Sequence, residues 1–171
     1  MPIRSIIPFP DTRLRTPAEP ITTFNGDLAD LATDLLDTLR AAPGIGITGP
    51  HIGILRAITV IEIDAKAGPH IFINPEILSA SRETTRHMEG SVSMPGFTDE
   101  VERPAAVTVR YQTLEGLWQD EEADGLLAIC LQHEIDQING IFWLQRLSRL
   151  KRERIVKKYE KSGPRQRHVA P

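Results

Sequence analysis

Apolar positions recur along this chain in two rhythms. In residues 24–42, Leu28, Leu31, Leu35, Leu36 and Leu39 fall at spacings of three, four, one and three, the period of one helical face. Asn25 or Asp27 is placed to cap this helix and Pro43-Gly44 to stop it. After a glycine-rich stretch over residues 43–53 the pattern changes to short runs rich in isoleucine and valine. Residues 57–63 and 70–74, joined by Ala67-Gly68-Pro69, predict two strands and a turn. Residues 77–86, 106–111 and 116–122 predict three more, with turn signals such as Leu114-Glu115-Gly116 between runs. Connections this short suit antiparallel pairing. A second helix is predicted over residues 124–137, capped by Asp124 and ended by Asn139-Gly140, and a third begins near Ser148. The first two dozen residues carry Pro2, Pro8, Pro10, Pro17 and Pro20. They predict an extended arm laid on the domain, because Ile3, Ile6, Ile7 and Leu14 need burial.

A length of 171 residues predicts one domain over 1–171, able to bury about two-thirds of its unfolded surface. The formal charge of −3 and pI near 6.0 give no global basic excess, so no DNA partner is expected. No apolar run approaches the roughly 18 residues of a membrane span, and the start lacks the apolar stretch of a signal peptide. A cytoplasmic protein with no membrane partner is expected. Cys130, the single cysteine, excludes an internal disulfide and leaves at most one thiolate for a metal.

Charge is concentrated locally instead. Ten of the 20 Lys and Arg residues lie from Arg146 onward, among them Arg149, Lys151, Arg152, Arg154, Lys157, Lys158, Lys161, Arg165 and Arg167, opposed only by Glu153 and Glu160. The basic C-terminal helix and tail over 148–171 either meets phosphates on an RNA surface or is simply a solvated helix face. Leu147, Leu150 and Ile155 are expected to pack one side of it on the domain.

Three segments carry candidate chemistry: Gly44-Ile45-Gly46-Ile47-Thr48-Gly49-Pro50-His51, Glu89-Gly90-Ser91-Val92-Ser93 and His133-Glu134-Ile135-Asp136-Gln137. Each alone has an ordinary structural reading, as a tight turn, turn serines and a buried histidine beside an acid. In this order, together with Phe72-Ile73-Asn74-Pro75, Arg103-Pro104, Gly125-Leu126-Leu127-Ala128 and Arg146-Leu147-Ser148, they resemble the peptide deformylase family. Its motifs read G-x-G-x-A-A-x-Q, E-G-C-x-S and H-E-x-x-H. The resemblance implies an α+β fold, with small antiparallel sheets packed around a central helix that carries the last motif, here HExxQ. It also implies removal of the formyl group from N-formylmethionyl peptides at a divalent metal, iron or zinc, held by one cysteine and two histidines. By the same resemblance Glu134 takes the general-base position, and His51 and the Val92 N–H take the oxyanion positions. Ile45, Gly46, Arg103, Leu126, Ile129, Cys130 and His133 would surround a methionine side chain, and the C-terminal helix would face the ribosome.

The ligand positions depart from the family. Ser91 stands for the cysteine, a hydroxyl that stays un-ionised near neutral pH, and Gln137 for the second histidine, an amide that is a poor partner for zinc or iron. His133 is the only retained ligand. His51 replaces the glutamine, and Thr48-Gly49 the usual Ala-Ala. The expectation is a deformylase-like protein with no metal, or one weakly bound divalent metal. Such a protein would bind peptide N-termini or the ribosome without normal turnover. The competing expectation is a working hydrolase, by one of two routes. His51 and His133 rebuild a metal site, or Ser91 and His133 form a metal-free pair, since two atoms about 2.1 Å from one tetrahedral metal lie roughly 3.4 Å apart.

Overall fold

The computed structural model describes residues 3–163; Pro2 of the arm and Arg165 and Arg167 of the tail lie outside them. Helix α1 spans Gly26–Ala41, and the Asn25 side chain caps it by accepting the Leu28 N–H. Leu28, Leu31, Leu35 and Leu39 are buried on its inner face, against Ile47, Ile58, Val60 and Ile73.

Strands β1 (Gly46–Thr48), β2 (Ile58–Ile61), β3 (His70–Ala80), β6 (Ala106–Gln112) and β7 (Trp118–Asp124) form one antiparallel sheet in the order β1-β2-β3-β6-β7. All four residues of β2 are buried. Ile58 and Val60 pack under α1, while Ile61 packs on the other face with Phe72, Val107 and Val109, so both faces of this strand are covered. Helix α2 (Gly125–Ile138) lies against that second face through Ala128, Leu131 and Ile135. A separate hairpin of β4 (Thr84–Ser91) and β5 (Met94–Pro104) completes an α+β fold of small antiparallel sheets around α2.

Several elements differ from those expected. The run over residues 77–86 is not one strand. Residues 77–80 finish β3 and 84–86 open β4, because the Ser81 hydroxyl donates to the Glu83 carbonyl and accepts the Ala106 N–H, closing a turn. Strand β3 does not stop at Asn74: that residue takes a left-handed φ of 50°, and its side chain exchanges hydrogen bonds with the Ile21 backbone, so the strand bulges and continues. Strands β1 and β5 were not foreseen, since glycine, proline and acidic residues dilute their apolar pattern. Asp124 is the N-cap of α2 but makes no side-chain capping bond.

The N-terminal arm lies along the domain. Its Ile7 N–H donates to the His51 carbonyl, Phe9 N–H to that of Ser93 and Ala18 N–H to that of Ile138. Ile7 and Leu14 are buried, whereas Ile3, expected to be buried, is 56% exposed. Helix α3 (Arg149–Ser162) starts at Ser148 and seats Ile155 and Leu147 beside Phe142 and Trp143. Leu150 does not join them; it is 67% exposed because it falls on the outer face. No helix among the described residues is long and apolar enough to cross a membrane.

Candidate active site

The loop before β1, the end of β4 and the first turns of α2 meet around a cleft of about 280 Å³. Ile45, Gly46, His51, Ser91, Val92, Leu126, Ile129, Cys130, His133 and Glu134 all line it. Residues separated by up to ninety positions are thus brought together, with Met94 and Phe97 of β5 added to the apolar wall. Gly46 is required by contact: a Cβ there would lie 2.5 Å from Glu134 Oε1.

Arg103 is the exception among the expected cleft residues. It is 4% exposed, and stands behind the wall rather than in it, bonding Glu89 through Nε and Nη2 at 2.6 and 2.8 Å and Asp136 through Nη1 at 2.9 Å. Asp136 also takes two bonds from Arg146, at 2.8 and 2.6 Å. The far end of this ion chain is His133, whose Nδ1 lies 2.9 Å from Glu89 Oε1. Burial opposes the charge on Glu89, but the bonds from Arg103 and His133 outweigh it and hold its pKa down to about 2. Burial likewise opposes charge on His133, and the bond to Glu89 with the field of Glu134 outweighs it, raising the pKa. Glu89 and Asp136 were not singled out in the sequence. The only sequence signal for Glu89 is its place two residues before Ser91 in the same short segment; strand alternation is interrupted there by a register shift between Gly90 and Ser91.

Glu134 is buried, and Oε2 has no hydrogen-bond partner. Desolvation lifts its pKa to about 7, against the pull of His133. His51 Nδ1 lies 4.0 Å away, but this is no ion pair, because burial and the field of His133 depress the His51 pKa to about 3 and leave the ring neutral. Cys130 is a protonated thiol, its pKa pushed up to about 12 by burial and by Glu134 and Glu89.

A sequence model of the polypeptide deformylase family matches residues 3–153. The chain belongs to the polypeptide deformylase family. It is 64% identical over 161 residues to the peptide deformylase-like protein of Brucella melitensis biotype 1, covering 94% of this chain and 98% of that one. It is 62% identical to that of Rhizobium meliloti, with 94% of each chain covered. The crystal structure of a peptide deformylase from Legionella pneumophila superposes with a TM-score of 0.89 at 40% identity, over 94% of this chain and 95% of that one.

The polypeptide deformylase metal finds a poor donor set in this chain. Gln137, 2% exposed, does not line the cleft and spends its amide N–H on the Leu14 carbonyl at 2.7 Å. Ser91 offers a neutral hydroxyl. His51 cannot serve as expected in a rearranged site: its Nδ1 accepts the Thr48 backbone N–H at 3.0 Å, so the neutral ring carries its hydrogen on Nε2, where a ligand would need a lone pair. No group of three His, Cys, Asp or Glu side chains among the described residues is placed to hold a metal ion. The expected Ser91–His133 pair is also not formed. Ser91 Oγ lies 3.5 Å from His51 Nε2 and accepts the Ser93 N–H at 3.1 Å, and among the described residues it makes no hydrogen bond with His133.

Proposed function

We propose that this member of the deformylase family binds peptide N-termini in its cleft without hydrolysing formyl peptides in the manner of the family. The observation that carries this reading is the fate of the ligand positions. One holds a hydroxyl, one an amide already engaged by Leu14, and only His133 keeps a metal-binding side chain. The apolar wall of Leu126, Ile129, Cys130, Met94 and Phe97 supports retention of a binding cleft for an apolar side chain of about methionine size. Glu134 keeps the general-base position, and burial raises its pKa to about 7, so it holds a proton more readily than an ordinary carboxylate.

The exposed basic face of α3 is proposed as a second contact, with the ribosome surface. Lys151 and Arg149 are paired to Asp99 and Glu153, and Arg154, Lys157, Lys158 and Lys161 remain exposed.

Elemental mass spectrometry on anaerobically purified protein tests the first reading, alongside hydrolysis and calorimetric binding of methionine-initiated peptides in the same sample. The expected result is metal far below one per chain, no turnover and saturable peptide binding. About one iron or zinc per chain with formyl-peptide turnover would overturn it in favour of a rebuilt hydrolase.

A further inference from the structure

Strand β7 ends the five-stranded sheet, and among the described residues only β6 pairs with it. The register runs unbroken from Ala106 opposite Asp124 to Gln112 opposite Trp118, and at the turn the Thr113 N–H donates to the Leu117 carbonyl. In an antiparallel ladder, residues that exchange backbone bonds alternate with residues that do not. Leu117 bonds towards β6, so residues 119, 121 and 123 do the same. The N–H and C=O groups of Trp118, Asp120 and Glu122 therefore point away from the sheet. Their side chains share one face, across from Gln112, Arg110 and Thr108, because Val107, Val109 and Ala123 turn to the core on the other.

At one end of this edge Trp118 is 58% exposed and Leu117 63%. Beyond them come Asp120, Glu121, Glu122 and Asp124, with no basic residue in the strand. Arg110 answers Asp120 at 2.8 Å and the Tyr111 hydroxyl reaches Glu121, but Glu122 and Asp124 have no partner among the described residues. Both line an open trough of about 480 Å³ with Ser79 and Thr108, whose hydroxyls are also unpartnered. Carboxylates on an edge strand guard it against a second copy: a twofold antiparallel pair centred on Glu121 would set Asp120 against Glu122 and Glu121 against itself. The same charges attract a strand that carries cations. Guarding by charge does not call for two bare apolar side chains beside it, one of them a tryptophan, a residue enriched where binding energy is concentrated.

We propose that β7 is a docking edge for an extended basic segment of a partner protein, which adds to the sheet as one more strand on the backbone of Trp118, Asp120 and Glu122. Backbone bonds supply the attachment, and alternate side chains supply the choice of partner. In antiparallel register, a lysine or arginine at every second position lies over Asp124, Glu122 and Asp120. The next position in that series rests an aliphatic side chain on Trp118. The Ser79 and Thr108 hydroxyls in the trough accept hydrogens that a lysine or arginine head has left over. This trough shares no residue with the cleft around Glu134, so the edge works whatever the cleft binds.

The probe is acetyl-Lys-Thr-Lys-Thr-Lys-Thr-Val-amide, set against acetyl-Lys-Lys-Lys-Thr-Thr-Thr-Val-amide, which has the same composition and charge. In calorimetry the alternating peptide is expected to bind roughly tenfold more tightly or better. Hydrogen exchange followed by NMR in the same complex should slow the amides of Trp118, Asp120 and Glu122 by about tenfold or more. Those of Gln119, Glu121 and Ala123, already in the β6 ladder, should not change. Glu122→Lys, at an exposed position, should weaken the alternating peptide by roughly tenfold. The exchange pattern is read on the parent protein, so it decides even where that variant folds poorly. Equal binding of the two peptides, or binding without protection of the three outward amides, makes the edge a nonspecific acidic surface and overturns the proposal. Binding of neither peptide assigns the carboxylates to edge protection alone and overturns it as well.

Discussion

At the scale of single residues, the site is governed by which lone pairs and hydrogens are already spoken for. The Gln137 N–H is used by Leu14, His51 Nδ1 by Thr48 and His133 Nδ1 by Glu89. Because His51 still presents an N–H towards the cleft, as the family's glutamine does, it need not be reverted to rebuild a metal site. The double variant Ser91→Cys/Gln137→His is therefore expected to acquire about one metal per chain and measurable formyl-peptide hydrolysis with His51 in place. Elemental analysis of the purified variant checks this, and a folded variant without metal would contradict the placement of the site. Glu134 makes a second test. Its pKa rises from 4.5 to about 7 in the folded protein, so the fold favours its protonated form. That contribution is complete below pH 4.5 and is lost as the pH rises through 7; His133, also raised, acts in the same direction. Glu89 acts oppositely, losing its contribution as the pH falls from 4.5 towards 2. His51, depressed from 6.5 to about 3, also loses its contribution as the pH falls and offsets Glu134 between about pH 4.5 and 6.5. Stability is expected to be nearly flat over that window and to decline from there towards pH 8, and Glu134→Gln should make that decline shallower in urea titrations across the range.

At the scale of elements, buried charge ties the hairpin to the helix. Arg103 on β5 bonds Glu89 on β4 and Asp136 on α2, and Asp136 bonds Arg146 in the short turn before α3. Removing the central cation leaves two carboxylates sharing what remains, so Arg103→Met is expected to cost about 3–5 kcal/mol, seen as a lower urea midpoint with unchanged slope. The same change should broaden the His133 ring resonances, since Glu89 loses the partner that holds it against the imidazole. Helix ends follow simpler rules. Asn25 caps α1 with its own side chain, and Gly140, at φ 78°, ends α2 where a Cβ would meet the Arg15 carbonyl and the Pro17 nitrogen at 2.9 Å.

At the scale of the whole molecule, the arm, the cleft and α3 are mechanically connected. Tyr159 of α3 donates to the Phe9 carbonyl, Phe9 N–H reaches Ser93, and Ile7 N–H reaches His51. The N-terminal arm thus braces both loops that present Ser91 and His51. The outer face of α3 stays free of this packing and carries the exposed lysines. Lys157→Glu/Lys158→Glu/Lys161→Glu is expected to reduce cosedimentation with ribosomes at low salt by roughly tenfold or more, with peptide binding in the cleft unchanged. Unchanged sedimentation would assign this face to solvent.

The sequence by itself determined α1, α2 and the start of α3, because a helical face and its caps are set by residues within one or two turns of each other. It also determined the family, through three motifs in order, and that a serine and a glutamine stand at positions 91 and 137. The β4–β5 hairpin was not legible, since its pairing joins polar and acidic residues whose alternation is weak until the partner strand is known. Nor was the continuation of β3 through Asn74, where a bond to Ile21 overrides the local signal for a stop. Tertiary structure alone decided that Arg103 lies behind the cleft and that Ser91 meets His51 instead of His133. Those contacts join residues fourteen to forty positions apart in the chain, and no local pattern of residues encodes them.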